Sequence, residues 1–280
     1  LAARIQAIQS IKKQDPKPIL NSLITLAKDN KPSIQVTAIN KIAEIEPQNI
    51  ANILNELWTT LSTQAQQAFI YSIGKNSSSE GDKILNTAFS SLLNGNLSKS
   101  LELDVLVAAE KSKNPKLKKQ LKKYEANLSA NDSVSPYSST LFGGDTEKGK
   151  HVYENHVAAQ CVRCHNAGGK DNQVGPNLTG IGKRTDKNYL LRSLVDPSVD
   201  IADGFNVNVI ELTNGKSIIG RLKDQTKKMI TLISPEGKPQ EIAATKIKKI
   251  TAANTSVMPP MGAILTKHEI RDLIAYLKTL

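Results

Sequence analysis

The chain has 280 residues, 39% of them hydrophobic and only 4% aromatic, and its formal net charge is +11. At roughly 100–200 residues per domain this length suggests two domains, and no apolar run approaches the ~18–20 residues that a spanning helix needs. The positive charge is spread over both halves, which disfavours a dedicated nucleic-acid patch; the dense run Lys111–Lys123 reads as the solvated face of a helix, with docking on an acidic protein or membrane surface as the sharper alternative.

Residues 1–130 read as helix after helix. Apolar residues recur at helical spacing in Ile5-Ile8-Ile11, in Leu20-Leu23-Ile24-Ala27 and in Ile50-Ile53-Leu54-Leu57. Helix-stopping signals stand at Asp15-Pro16, Lys31-Pro32, Glu46-Pro47, Gly74 and Asn114-Pro115. The segments also repeat. The stretch around Ile8 returns around Ile39 and Ile70, in steps of 31 residues, with a looser copy around Val105. A second amphipathic helix follows each copy, near 17–28, 49–61, 81–93 and 115–127. Helix pairs at a fixed period imply an α-solenoid, in which each pair buries its apolar stripe against the next. This half resembles HEAT repeats. It offers a scaffold or a protein-binding surface, and no grouping of residues in it has the makings of a catalytic site. Leu1 falls inside a helical pattern, so the chain is expected to be the C-terminal part of a longer exported protein.

Between 131 and 144 Ser, Gly and Pro displace the helical pattern, and a linker is expected there. Asp145 then supplies an N-cap, with Glu147 favourable in the first turn, for a helix running through Tyr153 towards Cys161. Over 205–251 the pattern turns to strands. Phe205–Val209 alternates, Asn214-Gly215 is a hairpin turn leading into Ser217–Gly220, and Met229–Ile233 and Ile242–Ile250 add strands around a turn at Pro235–Gly237. A capping box, Thr266 with Glu269, opens the last helix, whose stripe is Ile270, Leu273, Ile274 and Leu277. The predicted class is mainly α: helical repeats over 1–130, then an α-helical domain over 145–280 with a small antiparallel sheet inserted at about 205–251.

The chemistry concentrates at Cys161-Val162-Arg163-Cys164-His165, which holds the two cysteines of the chain. In C-x-x-C-H the thiols can add to the vinyl groups of haem, and the adjacent histidine is then placed to ligate iron. Zinc needs about four ligands and there is no second Cys pair. No thioredoxin-like βαβ pattern surrounds the motif, as a redox dithiol would want. A disulfide across two residues would be strained. On the motif alone these readings stay open.

Its surroundings narrow the choice, for residues 145–280 resemble class I cytochrome c. Gly149 and Tyr153 on the first helix, Leu273 and Tyr276 on the last, and Gly175-Pro176-Asn177-Leu178 after the motif carry the resemblance. It implies one covalent haem c, with Cys161 and Cys164 as attachment points and His165 as an iron ligand. The Pro176 carbonyl would accept the Nδ1–H bond of His165, Leu178 would pack on the haem, and Arg184 would approach a propionate. The sixth ligand of a low-spin electron carrier is expected to be a thioether, which raises the potential relative to histidine. Met229, Met258 and Met261 are the candidates. Met258 precedes a proline and has Leu265 seven positions on, as in the family, and is the expected ligand. His151, His156 and His268 are expected to be exposed helix residues. Removing the predicted sheet brings the spacing of His165 and Met258 to that of a small cytochrome. With Leu194–Ser198, Asn214-Gly215, Gly220 and Ser256–Pro259, this insertion resembles the haem-binding domain first described in planctomycete proteins. There the domain commonly follows HEAT-like repeats and a β-propeller resembling sugar dehydrogenases; no propeller is present here.

The expected function is electron transfer through a His165/Met258-ligated haem, as a non-enzymatic module that serves as the electron outlet of a larger exported dehydrogenase. Expected partners are redox proteins, an upstream dehydrogenase domain among them, and no nucleic acid. The expected location is periplasmic or otherwise extracytoplasmic, with membrane association only through segments outside this chain. The alternatives are a haem-containing interaction or scaffold module and an open-site haem sensor or peroxidase.

Overall fold

A computed structural model describes residues 1–11, 16–128, 132–168 and 174–280. The chain divides into two compact units, Leu1–Ala130 and Asn131–Leu280. The expected helix stop at Asp15 and the segment 129–131 at the junction lie outside the described residues. The fold is mainly helical with a small antiparallel sheet, as the periodicities predict, and no described helix is long and apolar enough to cross a membrane.

The first unit contains eight helices among its described residues: α1 (Ala2–Ser10), α2 (Pro16–Leu26), α3 (Pro32–Ile45), α4 (Ile50–Leu54), α5 (Thr63–Lys75), α6 (Ser79–Leu93), α7 (Glu102–Lys111) and α8 (Pro115–Ala126). A 3-10 turn, Asn55–Thr60, continues α4. The odd-numbered helices pack in succession, α1 on α3, α3 on α5 and α5 on α7, and α4, α6 and α8 form a second row. Sequence sets the helix ends. Pro32 and Pro115 sit in the first turns of α3 and α8, where a missing N–H costs nothing, and Asn114 caps Lys116 N–H at 2.9 Å. The stop signal Gly74 falls one residue before the end of α5 at Lys75. Its role is close approach, since a Cβ there would stand 2.6 Å from Ala108 Cβ on α7. The core is aliphatic with Phe69 and Phe89 fully buried.

In the second unit, α9 (Thr146–Asn155) and α13 (Lys267–Leu277) cross at glycine. A Cβ on Gly149 would lie 2.5 Å from the Asp272 carbonyl carbon, so no other residue permits this crossing without movement. The Asp145 carboxylate caps α9 by accepting from Glu147 and Lys148 N–H, and Thr266 with Glu269 forms the capping box of α13. Between them run the short α10 (Cys161–Cys164), α11 (Ile181–Arg184) and α12 (Lys187–Val195). The stretch expected to be a linker holds a 3-10 helix over Ser135–Leu141, packed on α13 with Ser139 and Thr140 buried. Its polar residues satisfy one another: Thr140 Oγ1 donates to the Tyr137 carbonyl at 2.7 Å.

The inserted sheet has five antiparallel strands: β1 (Val207–Leu212), β2 (Ser217–Gln225), β3 (Met229–Ile233), β4 (Pro239–Ala243) and β5 (Ile247–Ala253). The single strand expected over 242–250 is two, separated by the 3-10 turn Ala244–Lys246. The order β4-β3-β2-β1-β5 puts β4 and β5 on opposite edges. Four Cα steps reach at most about 15 Å, whereas a flat five-stranded sheet holds its edges about 19 Å apart. The sheet must therefore curl towards closure, around Ile210, Ile230, Leu232 and Ile242.

Candidate functional site

A cavity of about 410 Å³ lies within the second unit, a size in the ~300–1,000 Å³ range of ligand sites. Cys161, Cys164 and His165 line it, and so do Leu178 from the stretch before α11, Leu194, Leu273 and Leu277 from the helices, and Met258 and Met261 from the segment before α13. The lining is predominantly apolar. Met229, the third methionine of the sequence, sits on β3 at 40% exposure and is not part of the lining.

Local structure sets the histidine. α10 is a single turn that starts from Gln160, a non-glycine residue in the left-handed region at φ 45°. Past it, His165 leaves in an extended conformation, and its Nδ1 lies 2.9 Å from the Pro176 carbonyl oxygen. A carbonyl only accepts, so Nδ1 carries the proton and Nε2 keeps its lone pair. Burial also pushes the imidazole pKa down, against the opposing pull of that hydrogen bond, and so favours the neutral ring that ligates metals. Gly175 makes the approach possible, since a Cβ there would stand 2.8 Å from the Cys164 carbonyl and 2.9 Å from His165 Cε1. On the other side, the Tyr153 hydroxyl donates to the His165 carbonyl at 2.9 Å. Burial raises the Tyr153 phenol to about 12, and its ring lies 5.5 Å from that of Tyr276.

The two thiols are half-buried and not joined in a disulfide. Burial raises both above the ordinary thiol value, the reverse of what an activated redox dithiol needs. Among the described residues no cluster of three or more His, Cys, Asp or Glu side chains could hold a metal ion by itself. What the thiols and the imidazole face is an apolar space, with thioethers in its lining.

The segment bearing the methionines is anchored. Ser256 N–H donates to Ser198 Oγ at 3.1 Å, just past α12, and Met258 N–H donates to Ser256 Oγ at 3.1 Å. Met258 is half-buried, whereas Met261 is 4% exposed and packed into the helical core. Leu178 N–H donates to the Asn166 carbonyl at 2.8 Å, which holds the Pro176–Leu178 stretch over the motif. Arg184 is exposed at the cavity wall, and its guanidinium donates to the Thr179 carbonyl. Thus Cys161, Cys164, His165, Pro176, Leu178, Arg184 and Met258 all line one cavity. His156 is not the exposed helix residue expected of it. It is the C-cap of α9, accepts from Ala159 N–H at Nδ1 (3.0 Å), and has Nε2 3.6 Å from Glu269.

Sequence reasoning missed the Tyr153 hydroxyl bond, the Ser198–Ser256 anchor, and Phe205 and Pro235 in the cavity wall. The tyrosine was legible as a packing residue, but its acceptor is a backbone atom twelve positions on and carries no sequence signal.

The residues fit a covalently held, flat, apolar cofactor: paired thiols, a neutral imidazole with its tautomer fixed, a glycine cradle and a mostly apolar cavity. Comparison with known families agrees. The cytochrome c family model matches residues 146–226, from α9 to the end of β2. That family implies covalently bound haem c. No curated protein matches the chain.

Proposed function

We propose that residues 145–280 form a c-type cytochrome domain that passes single electrons, in which Cys161 and Cys164 would attach haem through thioether links and His165 and Met258 would ligate its iron. The observation that carries this reading is the His165 imidazole, its Nδ1 committed to the Pro176 carbonyl over Gly175, in one apolar cavity with Met258. When bound, haem supplies a one-electron Fe(III)/Fe(II) couple. The chain does the rest. Pro176 fixes the tautomer and orientation of His165, and Tyr153 pins the same residue through its carbonyl. The Ser198–Ser256 bond steadies the segment that presents Met258. Leu178 and the leucines of α12 and α13 exclude water, and Arg184 is placed for a propionate.

The first unit, with its helices packed in succession, is a HEAT-like solenoid that mounts the cytochrome. The parent protein is a larger exported dehydrogenase, and this chain is its electron outlet to redox partner proteins. Cytochrome c domains are typically extracytoplasmic, which supports a periplasmic or cell-surface site of action.

The test is spectroscopic. Protein made with a cytochrome c maturation system should stay coloured after acid-acetone denaturation, and its ferric spectrum should show the weak long-wavelength band of a Met–iron bond. Met258→Ala should remove that band and lower the potential, and Met261→Ala should keep it. Extractable colour overturns the covalent attachment. Loss of the band in Met261→Ala alone moves the ligand to Met261.

A further inference from the structure

The inserted sheet, an open five-stranded one curled in the manner of a barrel, reaches back to the cavity at two points. Phe205, at its entry, and Pro235, in the turn between β3 and β4, both line the cavity. Neither is loosely held. The Arg221 guanidinium of β2 lies 4.8 Å from the centre of the Phe205 ring and donates to the Gly204 carbonyl at 3.3 Å. In the turn, the buried Ser234 hydroxyl donates to Glu236 Oε2 at 2.7 Å and accepts from the Glu236 and Lys238 N–H groups. That bond holds the Glu236 carboxyl below its usual range, with the charges of Lys238 and Arg163 adding to it. Gly237, at φ 79°, brings the turn against the motif side of the cavity, where a Cβ would lie 2.8 Å from Val174 Cγ2. Val174 precedes the Gly175-Pro176 pair that holds His165.

We propose that the inserted barrel is a wall of the haem cavity, with Phe205 and Pro235 as residues that exclude water and foreign ligands from the iron. This rests on the haem reading above. The two side chains are apolar, the strands behind them are braced, and the turn abuts the loop next to the proximal ligand. Opening such a wall admits water and raises the local dielectric, which favours the more highly charged ferric state and lowers the potential.

The experiment uses the full-length haem-loaded chain and compares wild type with Phe205→Ala, Pro235→Ala, the double variant, and Lys216→Ala as a control in the β1–β2 turn. Imidazole binding to the ferric protein is followed by stopped flow, the potential by spectroelectrochemical titration, and barrel integrity by amide exchange over β1–β5. The double variant should bind imidazole about tenfold faster, the usual scale of effect for the shell around a metal site, and should have a lower potential. Each single variant should shift the same way by less, and the control should not move. Wild-type rate and potential in a double variant whose barrel amides stay protected would overturn the wall. If the double variant loses that protection, the single variants decide by the same criterion. A wild type that carries no covalent haem fails the parent reading instead, and a haem-loaded wild type with unresponsive variants fails only the wall.

Discussion

The two units solve different packing problems. The first fills its core with side chains, Phe69, Phe89, Ile34 and Ile39 fully buried among them. In the second, backbone comes close to backbone at Gly149 and Gly182, where a Cβ would clash with carbonyl groups of α13 or the residue after it, and yet a cavity stays open in the middle. Tight helix crossings around a hole are the mark of a core completed by something other than the chain. The first unit is specified by its residues alone; the second is specified together with its cofactor.

The strongest way to break this contrast is to remove the attachment points. Without haem the apolar lining of the 410 Å³ cavity loses the packing that the cofactor supplies, against a stability of only roughly 5–15 kcal/mol for a whole domain. Cys161→Ser with Cys164→Ser should therefore strip α9 and α13 of slow amide exchange and leave α3 and α5 protected. Equal protection of both sets would erase the distinction. Next in size, Phe69→Ala should destabilise the first unit by about 3–5 kcal/mol and leave the visible spectrum and potential of the holoprotein untouched. A spectral change would mean that the units are energetically coupled.

The smallest effect sharpens the second unit. Tyr153→Phe should cost about 1–2 kcal/mol by leaving the His165 carbonyl without its donor. Because burial raises the Tyr153 phenol from 10.0 to about 12, its contribution is complete below pH 10 and is lost as pH rises towards 12. Wild type should thus show a stability decline across that window, by denaturant titration, that is weaker in the variant. Tyr276, also raised by burial, contributes to the residual slope.

What the sequence shows and hides follows from range. The Cys161–His165 motif, the Asp145 cap and the Thr266–Glu269 box are interactions between residues close in the chain, and all are readable there. The Asn214-Gly215 turn is equally local. The division of β4 from β5 is not readable, because Ala244–Lys246 contains neither Gly nor Pro and the turn carries the chain from one edge of the sheet to the other. Gly74 marks the end of α5, but its admission of a neighbouring helix shows only once Ala108 is placed. The Ser-rich stretch after 131 read as a tether since its burial depends on α13, and its Tyr137 hydroxyl finds the Gly262 carbonyl, 3.3 Å away, only in the folded unit. Phe205 and Pro235 belong to a cavity whose Cys161–His165 motif lies dozens of residues earlier in the chain.

The bond from Ser256 N–H to Ser198 Oγ also brings the two ends of the inserted segment together. Chain leaves the helical frame and returns to it at nearly the same point, so closing the frame across that gap costs little loop entropy whatever lies between. The arrangement is that of a cassette: the strands can be lengthened at turns away from the cavity, with Phe205 and Pro235 kept in place, without redrawing the helices on either side. For protein engineering, this makes such a turn, Asn214-Gly215 for example, the natural place to graft a module next to the cytochrome frame.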